Sequence, residues 1–261
     1  LGIPHIVELN APLPEEAARY RRLDRPEEAE RLERETLSGA DLVLPVSSPL
    51  AVYAQERGAQ RVEVTPNAVV PERFANLPAR DPAAPPLAVF SGALRPWHGI
   101  ETIAEAWTLL GAEAPGLRGI GDGPARAAVA AVGAEMLGAV PHEQVPRLLG
   151  DADIGLAPYS ADAPAYFSPL KLFEYLAAGL AVVAADIPGV RDVTGDQAAI
   201  LIPPGDAPAL ARAVAHLTND HVARANLGAA ARALAAEHTW QRRGQRIIDA
   251  VRELSAEPAA Q

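Results

Sequence analysis

Short apolar runs alternate with stretches of helical periodicity along most of the chain. From residue 87 onward, each of six apolar runs is followed by a helical pattern, which predicts strands separated by single helices. The predicted strands cover residues 87–90, 117–120, 135–137, 154–157, 181–184 and 199–202. The helices that follow them are expected to begin near Ile100, Pro124, His142, Pro169, Val190 and Asp206. Single helices between strands imply parallel pairing, so the pattern predicts an α/β fold with a doubly wound parallel sheet.

The first 80 residues show the same alternation over a shorter length. Apolar residues predict strands at 5–9, 41–45 and 61–64, with helical patterns at 14–37 and 48–57. Three prolines then fall within residues 81–86, a composition typical of a linker. The expected organisation is a partial Rossmann-like domain at 1–80, a linker at 81–86, a second Rossmann-like domain at 87–238, and a C-terminal helix and tail at 239–261.

Composition excludes several classes of protein. The chain has 261 residues and no cysteine, which excludes a disulfide framework, thiolate catalysis and cysteine-ligated zinc. Its formal net charge of −10 argues against a nucleic-acid partner. The longest apolar run, 176–185, is about half of the ~20 residues that a membrane-spanning helix needs, so we expect it in the core. The chain opens on Leu1 rather than methionine, and we expect a fragment whose N-terminal part is missing.

Lysine occurs only once among the 23 basic residues, at Lys171. It follows the fourth strand of the second domain, where Ser168 and Pro169 suit the N-cap and first position of a helix. The free backbone N–H groups of Leu170 and Lys171 would then face an anion at the positive end of the helix dipole, and the lysine would add a mobile full charge. One turn later, Glu174 can accept hydrogen bonds from a pair of hydroxyls such as a ribose diol. The alternative is an ordinary capped helix with a surface lysine and glutamate.

A glycine-bracketed loop, residues 91–99, follows the first strand of the second domain. Gly92 allows backbone N–H groups to approach an anion, Arg95 can hold a phosphate bidentately, and His98 supplies an imidazole. In open α/β sheets, ligands bind outside the carboxyl ends of the strands. We therefore expect this loop and the helix that carries Lys171 to line one anion site, with a plain connecting loop as the alternative.

Two further loops carry weaker motifs. The turn at 121–124 follows the second strand and is expected to be structural, whereas 138–142 follows the third strand and could offer backbone groups to a base. The six histidines show no metal-binding spacing, so no metal is expected. The chain has no G-x-S-x-G, Walker or dehydrogenase G-x-G-x-x-G motif, which argues against hydrolase, NTPase and NAD-dependent activities.

Taken in order, these motifs resemble the retaining glycosyltransferases of family 4, which have the two-Rossmann GT-B fold. The resemblance runs from about residue 8 to residue 240 and is carried by four segments: Pro66-Asn67-Ala68-Val69 with Phe74, Ser91-Gly92 with His98-Gly99, Gly121-Asp122-Gly123-Pro124, and residues 167–175 with Ala178-Gly179. They resemble, respectively, the family's domain-joining segment, phosphate loop, G-x-G-P turn and donor-binding helix. The resemblance implies that residues from about 84 onward bind a nucleotide-sugar donor and that 1–80 end an acceptor domain.

The resemblance also implies roles for individual residues. Arg95 and Lys171 would be catalytic and would face the donor diphosphate together with His98. The donor-binding residues would be Gly92, His98, Val140, Ser168, Pro169, Leu170 and Glu174. Among these, Glu174 would bind the ribose and Val140 would lie near the base.

The implied reaction moves a sugar from a nucleoside-diphosphate sugar to an acceptor with retained anomeric configuration, in glycan or glycolipid synthesis. It would need no cofactor and no metal. The implied partners are the nucleotide-sugar donor and an unknown glycan, lipid or small-molecule acceptor, without nucleic acid. The implied setting is cytoplasmic, with a peripheral contact at the inner membrane face.

The sequence departs from the family pattern at three positions. Ala93 stands in place of an arginine, His98 in place of a lysine, and Tyr166 in place of a glutamate eight positions before Glu174. The family's glycine-rich acceptor-domain loop is also absent from this chain. These departures leave two alternatives, a non-catalytic nucleotide-sugar-binding module and a sugar-nucleotide epimerase on the same fold. A cofactor-dependent phosphorylase would need a Schiff-base lysine, whereas Lys171 at a helix start suits a phosphate better.

Overall fold

The computed structural model describes residues 3–77, 80–81, 84–164 and 166–256. They divide into two compact units, each built on its own sheet. The first unit contains the described residues of Leu1–Asn67, Ala165–Ser168 and Trp240–Gln261, and the second contains those of Ala68–Pro164 and Pro169–Thr239.

The first unit is built on two parallel strands, β1 (Ile6–Leu9) and β2 (Leu42–Pro45). Its helices are α1 (Leu13–Tyr20), α2 (Pro26–Ser38), α3 (Ser48–Glu56) and α11 (Trp240–Ala256). Because successive side chains of a strand point to opposite faces, Val43 packs with the core of α2 and α3, while Leu42 and Leu44 pack against Ala250 of α11. The strand predicted at 61–64 forms only a single bridge, between Val62 and Val43.

The second unit is built on six parallel strands in the order β5-β4-β3-β6-β7-β8. Their bounds are β3 (Leu87–Ser91), β4 (Gly116–Ile120), β5 (Glu135–Gly138), β6 (Ile154–Ala157), β7 (Ala181–Ala185) and β8 (Ala199–Ile202). The six predicted strands and the doubly wound parallel sheet are confirmed. The chain builds the sheet outward from β3 in one direction and from β6 in the other, so the strand order reverses between these two neighbours.

Helices cover both faces of this sheet. Their bounds are α4 (Ile100–Leu110), α5 (Arg126–Ala130), α6 (Val145–Gly150), α7 (Leu170–Ala178), α8 (Pro188–Thr194), α9 (Ala207–Asn219) and α10 (His221–Ala235). The apolar run 176–185 spans the end of α7 and all of β7 and is buried except at Gly179, as expected. Sequence periodicity did not predict α10, because the side it buries consists of small residues, Gly228, Ala231 and Ala235. None of the helices described is long and apolar enough to cross a membrane.

The units divide the chain at different places from the expected domains. The first division falls between Asn67 and Ala68, ahead of the linker expected at 81–86, of which Pro82 and Ala83 lie outside the described residues. The segment after Asn67 joins the second unit because the Val69 N–H group donates to the His238 carbonyl at 2.9 Å.

The C-terminal segment expected at 239–261 is not a separate part of the structure. Its described part forms α11, which belongs to the first unit rather than standing alone. The reason is apolar packing, since Ile247, Ala250 and Leu254 of α11 cover the face of β2 that α2 and α3 leave open. This packing joins the last helix of the chain to a strand near its beginning.

Candidate functional site

The glycine loop and the start of α7 meet at the point where the strand order reverses. The loop follows β3 and α7 follows β6, and these two strands are hydrogen-bonded neighbours. A side chain at Gly92 would come within 3.3 Å of both Cε and Nζ of Lys171. Gly92 also has a φ of +124°, which favours glycine. The structure therefore brings Gly92 and Lys171 together at the crevice where ligands of such sheets bind.

Lys171 does not carry the mobile full charge that we expected. Its Nζ atom is buried and has no hydrogen-bond partner among the residues described. It lies 4.0 Å from the ring centroid of Phe90 and 5.7 Å from that of Tyr159. Burial lowers the pKa of Lys171 to about 7, an effect that the charge of Glu174 partly opposes. A buried amine without an acceptor is uncommon in proteins, and an incoming anion would supply the missing partner.

His98 is half-buried and neutral near pH 7. Its Nδ1 atom contacts the Ala93 carbonyl oxygen, and its ring packs edge-on against Tyr159 with the centroids 5.9 Å apart. Burial, reinforced by the nearby charge of Lys171, lowers the pKa of His98 from 6.5 to about 4. Because a carbonyl only accepts, Nδ1 carries the proton and Nε2 is left as an acceptor. In the ligand-free chain His98 is therefore a neutral imidazole rather than a cation.

The backbone of the glycine loop is held by the turn after β4. The Gly92 N–H group donates to the Ile120 carbonyl at 2.8 Å, and the Leu94 N–H group donates to the Asp122 carbonyl at 3.0 Å. These two N–H groups are therefore not open to an anion, contrary to our expectation for the loop. A side chain at Gly121 would overlap the Gly92 carbonyl oxygen, so the turn at 121–124 has the structural role that we predicted.

Arg95 lies on the exposed side of the same loop. It precedes a short 3-10 turn, Pro96–His98, and its guanidinium carbon is 5.9 Å from the ring centroid of Trp97. Its side chain is exposed to solvent. Arg95 and Lys171 thus represent two different kinds of cation, one in solvent and one buried.

The first turn of α7 differs in detail from the prediction. The helix begins at Leu170 with Pro169 as its N-cap residue, so the prediction of Ser168 as the N-cap is wrong. Ser168 instead pairs with Asn67, which donates its backbone N–H to Ser168 Oγ at 3.4 Å and its Nδ2 group to the Ser168 carbonyl at 3.0 Å. Since a proline has no side-chain acceptor, the N–H groups of Leu170 and Lys171 have no side-chain cap and remain suited to an anion.

Tyr175 connects the two halves of this crevice, a role that the sequence did not reveal. Its buried hydroxyl oxygen accepts a hydrogen bond from the Ser91 N–H group at 2.6 Å. Its ring passes over Gly155 of β6, where a Cβ atom would come within 2.8 Å of the ring. Tyr175 therefore fixes α7 against the end of β3. The available signal was its position one helical turn after Lys171, on the same side of α7.

Glu174 is held by His142, which Arg73 holds in turn, and neither residue was among the predicted site residues. Its Oε1 atom lies 2.8 Å from Nε2 of His142, and its side chain is mostly buried. Arg73 approaches His142 from the other side, with Nη1 at 3.2 Å from Nδ1 and Nη2 donating to the His142 carbonyl at 2.6 Å. Val140 is half-buried two residues before His142, in the loop after β5.

The arrangement suits an anionic ligand with hydroxyl groups. Lys171, Arg95 and the first turn of α7 provide positive charge, while Glu174 provides an acceptor nearby. Within the described ranges, no three histidine, aspartate or glutamate side chains converge as metal ligands. The candidate site combines cations, backbone N–H groups and one carboxylate.

An open parallel sheet whose strand order reverses between two neighbours, with a glycine loop and a helix start at that point, defines a doubly wound α/β domain. A sequence profile described as "Glycosyl transferases group 1" matches residues 85–220, and the chain belongs to this family. The amylovoran biosynthesis glycosyltransferase AmsK of Erwinia amylovora is 31% identical over 194 residues, which cover 68% of this chain and 47% of AmsK. The chain spans about half the length of the curated relatives it matches.

Solved structures agree on the fold. Sucrose-phosphate synthase from Thermosynechococcus elongatus superposes with a TM-score of 0.75 at 21% identity, covering 96% of this chain and 68% of that one. HepE of Anabaena, in complex with UDP, superposes with a TM-score of 0.78 at 18% identity, and the superposition covers 96% of this chain and 72% of the HepE chain. The chain thus has the α/β fold of the GT-B glycosyltransferases.

Proposed function

We propose that this chain carries the donor-binding part of a retaining glycosyltransferase of family 4. The enzyme would transfer a sugar from a nucleoside-diphosphate sugar to a glycan or glycolipid acceptor. The observation that carries the proposal is the buried Nζ atom of Lys171, which lies without an acceptor beneath Gly92 at the switch point. A diphosphate supplies the negative charge and the acceptor oxygens that this atom lacks. UDP in the HepE structure and the role of AmsK in amylovoran biosynthesis support this choice of donor and product.

Catalysis in this proposal depends on stabilising the departing diphosphate. Negative charge grows on the diphosphate as the bond to the sugar breaks, so fixed positive groups around it stabilise the transition state. Lys171, Arg95 and the first N–H groups of α7 are the groups that would do so. Gly92 has no side chain, which leaves room for a phosphate to approach Lys171. The charge of the diphosphate also favours the protonated form of Lys171, whose pKa of about 7 leaves it only partly charged before binding.

Recognition of the rest of the donor falls to residues around this centre. Glu174 would accept hydrogen bonds from the two ribose hydroxyls, and Val140 would contact the base. Nε2 of His98 would accept a hydrogen bond from a hydroxyl group of the donor, because Nδ1 is engaged with the Ala93 carbonyl oxygen. The lowered pKa of His98 favours this neutral role.

Calorimetry on the whole 261-residue chain with UDP, GDP and inorganic pyrophosphate tests the proposal. We expect Lys171→Met to weaken nucleoside diphosphate and pyrophosphate alike, by about tenfold or more for the loss of a charged hydrogen bond. Glu174→Gln should weaken only the nucleoside diphosphates. Glu105→Gln, at an exposed position on α4, is the matched control and should change neither. If neither UDP nor GDP binds at millimolar concentration while circular dichroism shows a folded chain, the donor site is refuted.

A second candidate is a nucleotide-sugar-binding module without transfer activity. It is favoured by Tyr166, which stands where the family often has a second glutamate and whose hydroxyl donates to Glu16 at 2.9 Å. The two candidates differ in whether the donor is consumed. Release of UDP from a bound UDP-sugar in the presence of an oligosaccharide acceptor would support the transferase. Tight binding without any release across donors and acceptors would favour the module.

A further inference from the structure

Glu174 and Lys171 lie three residues apart on α7, a spacing at which oppositely charged side chains commonly pair. They do not pair here. The Nζ atom of Lys171 has no hydrogen-bond partner among the described residues, although it is buried and would gain most from a carboxylate. The Glu174 carboxylate instead meets the His142 imidazole at 2.8 Å. Something must therefore make His142 the better partner for Glu174.

The position of Arg73 provides the reason. Nη1 of Arg73 lies 3.2 Å from Nδ1 of His142 and 3.4 Å from Nε2, while Nη2 donates to the His142 carbonyl at 2.6 Å. A carboxylate has only acceptors, so Nε2 of His142 carries a proton and donates to Oε1 of Glu174. Arg73 thus holds His142 in the position from which Nε2 donates to Glu174.

We propose that His142 is a positioning residue that keeps Glu174 away from Lys171 and presents its carboxylate to the ribose hydroxyls of the donor. This inference rests on the proposed function, because it assigns the ribose and the diphosphate to the same crevice. A carboxylate that turned to Lys171 would neutralise the amine and supply the hydrogen-bond partner that Nζ lacks. The contact with His142 therefore has two effects. It orients the Glu174 carboxylate toward the ribose, and it leaves Lys171 free for the diphosphate.

Removing the His142 side chain should weaken binding even of a ligand that has no ribose. In His142→Ala, Glu174 is released and pairs with Lys171. The affinity for UDP should therefore fall about tenfold. The affinity for pyrophosphate should fall as well, because Lys171 is no longer free to bind it. Removing the carboxylate as well should restore pyrophosphate binding. We expect His142→Ala/Glu174→Gln to bind pyrophosphate as tightly as Glu174→Gln alone, although UDP binding stays weak. His142→Gln, whose amide can still donate to a carboxylate, should retain a large part of the wild-type affinity.

Calorimetry of the whole chain with UDP and pyrophosphate measures these differences, and thermal unfolding confirms that each variant is folded. His216→Ala, at an exposed position on α9, is the matched control and should bind both ligands like the wild type. Wild-type affinity in His142→Ala would overturn the inference, and so would a pyrophosphate loss that persists in the double variant, since that would indicate a structural lesion. Failure of the proposed function is distinct, because the wild type itself would then bind neither ligand.

Discussion

The hydroxyl oxygen of Tyr175 accepts a hydrogen bond from the backbone N–H group of Ser91 at 2.6 Å, which joins the last residue of β3 to helix α7. Tyr175→Phe would leave this buried N–H group without an acceptor. We expect the free energy of unfolding to fall by about 1 to 3 kcal/mol, the usual cost of an unpaired buried polar group. Urea unfolding measures the change, and UDP affinity should fall with it because α7 is no longer fixed to β3.

The matched control for Tyr175→Phe is Val222→Ala, an exposed apolar position on α10. Its free energy of unfolding should stay within about 0.5 kcal/mol of the wild type, as for most surface substitutions. A Tyr175→Phe protein as stable as the wild type would show that the hydrogen bond contributes little to the site.

The lowered pKa of Lys171 should be measurable directly by NMR titration. Lys171 is the only lysine in the chain, so selective ¹³C labelling of lysine gives a single side-chain signal whose titration reports this one group. We expect a pKa of about 7 in the free protein, against 10.5 for an ordinary lysine, and a higher value with UDP bound. A titration near 10.5 in the free protein would contradict the burial of Nζ.

The free energy of unfolding should depend on pH because the pKa of Lys171 is lowered in the folded chain. Between pH 7 and 10.5 the unfolded chain keeps the Lys171 proton that the folded chain releases, so this group makes stability rise with pH over that range. Lys171→Met lacks the effect and should be more stable than the wild type at pH 6, with an advantage that shrinks toward pH 10. Urea unfolding of both proteins across this range tests the prediction, and a constant difference would contradict it.

His98 should destabilise the folded chain in acid. Its pKa is lowered from 6.5 to about 4, so the unfolded chain binds the proton first as the pH falls, and stability is lost between these values. Relative to the wild type, His98→Gln should therefore gain stability as the pH falls from 6.5 to 4. His216→Gln, at an exposed position, should show no such gain. If the ring signal of His98 titrates near 6.5, the neutral assignment is wrong.

Gly121 and Gly195 offer a matched pair for testing the glycine loop. Both have positive φ, +130° and +52°, but a Cβ atom at Gly121 would overlap the Gly92 carbonyl oxygen, whereas Gly195 faces open space. Gly195→Ala should cost about 1 to 2 kcal/mol for its backbone conformation and leave UDP binding unchanged. Gly121→Ala should cost more and weaken UDP binding, because Gly92 must move. Equal effects of the two variants on UDP affinity would argue against this loop as part of the site.

Most of the sheet was predictable because each strand is a short apolar run between residues that break structure. The meeting of Gly92 with Lys171 was predictable too, since loops at the carboxyl ends of neighbouring parallel strands lie together. The burial of Lys171 was not, because it depends on rings that separate parts of the chain supply, Phe90 and Tyr159. Likewise, no local pattern relates Glu174 to His142, which lies 32 residues earlier in the sequence.

The packing of α11 against β2 has a consequence for how the chain can be divided. A cut within residues 81–86 would separate the polypeptide into two pieces, but the second piece would still carry Ala250, which packs on Leu42 and Leu44 of the first. Each piece thus holds part of the same hydrophobic core. The two halves of a gene split at this proline-rich segment should therefore yield fragments that assemble when produced together, which makes the segment a suitable break point for a split-protein reporter.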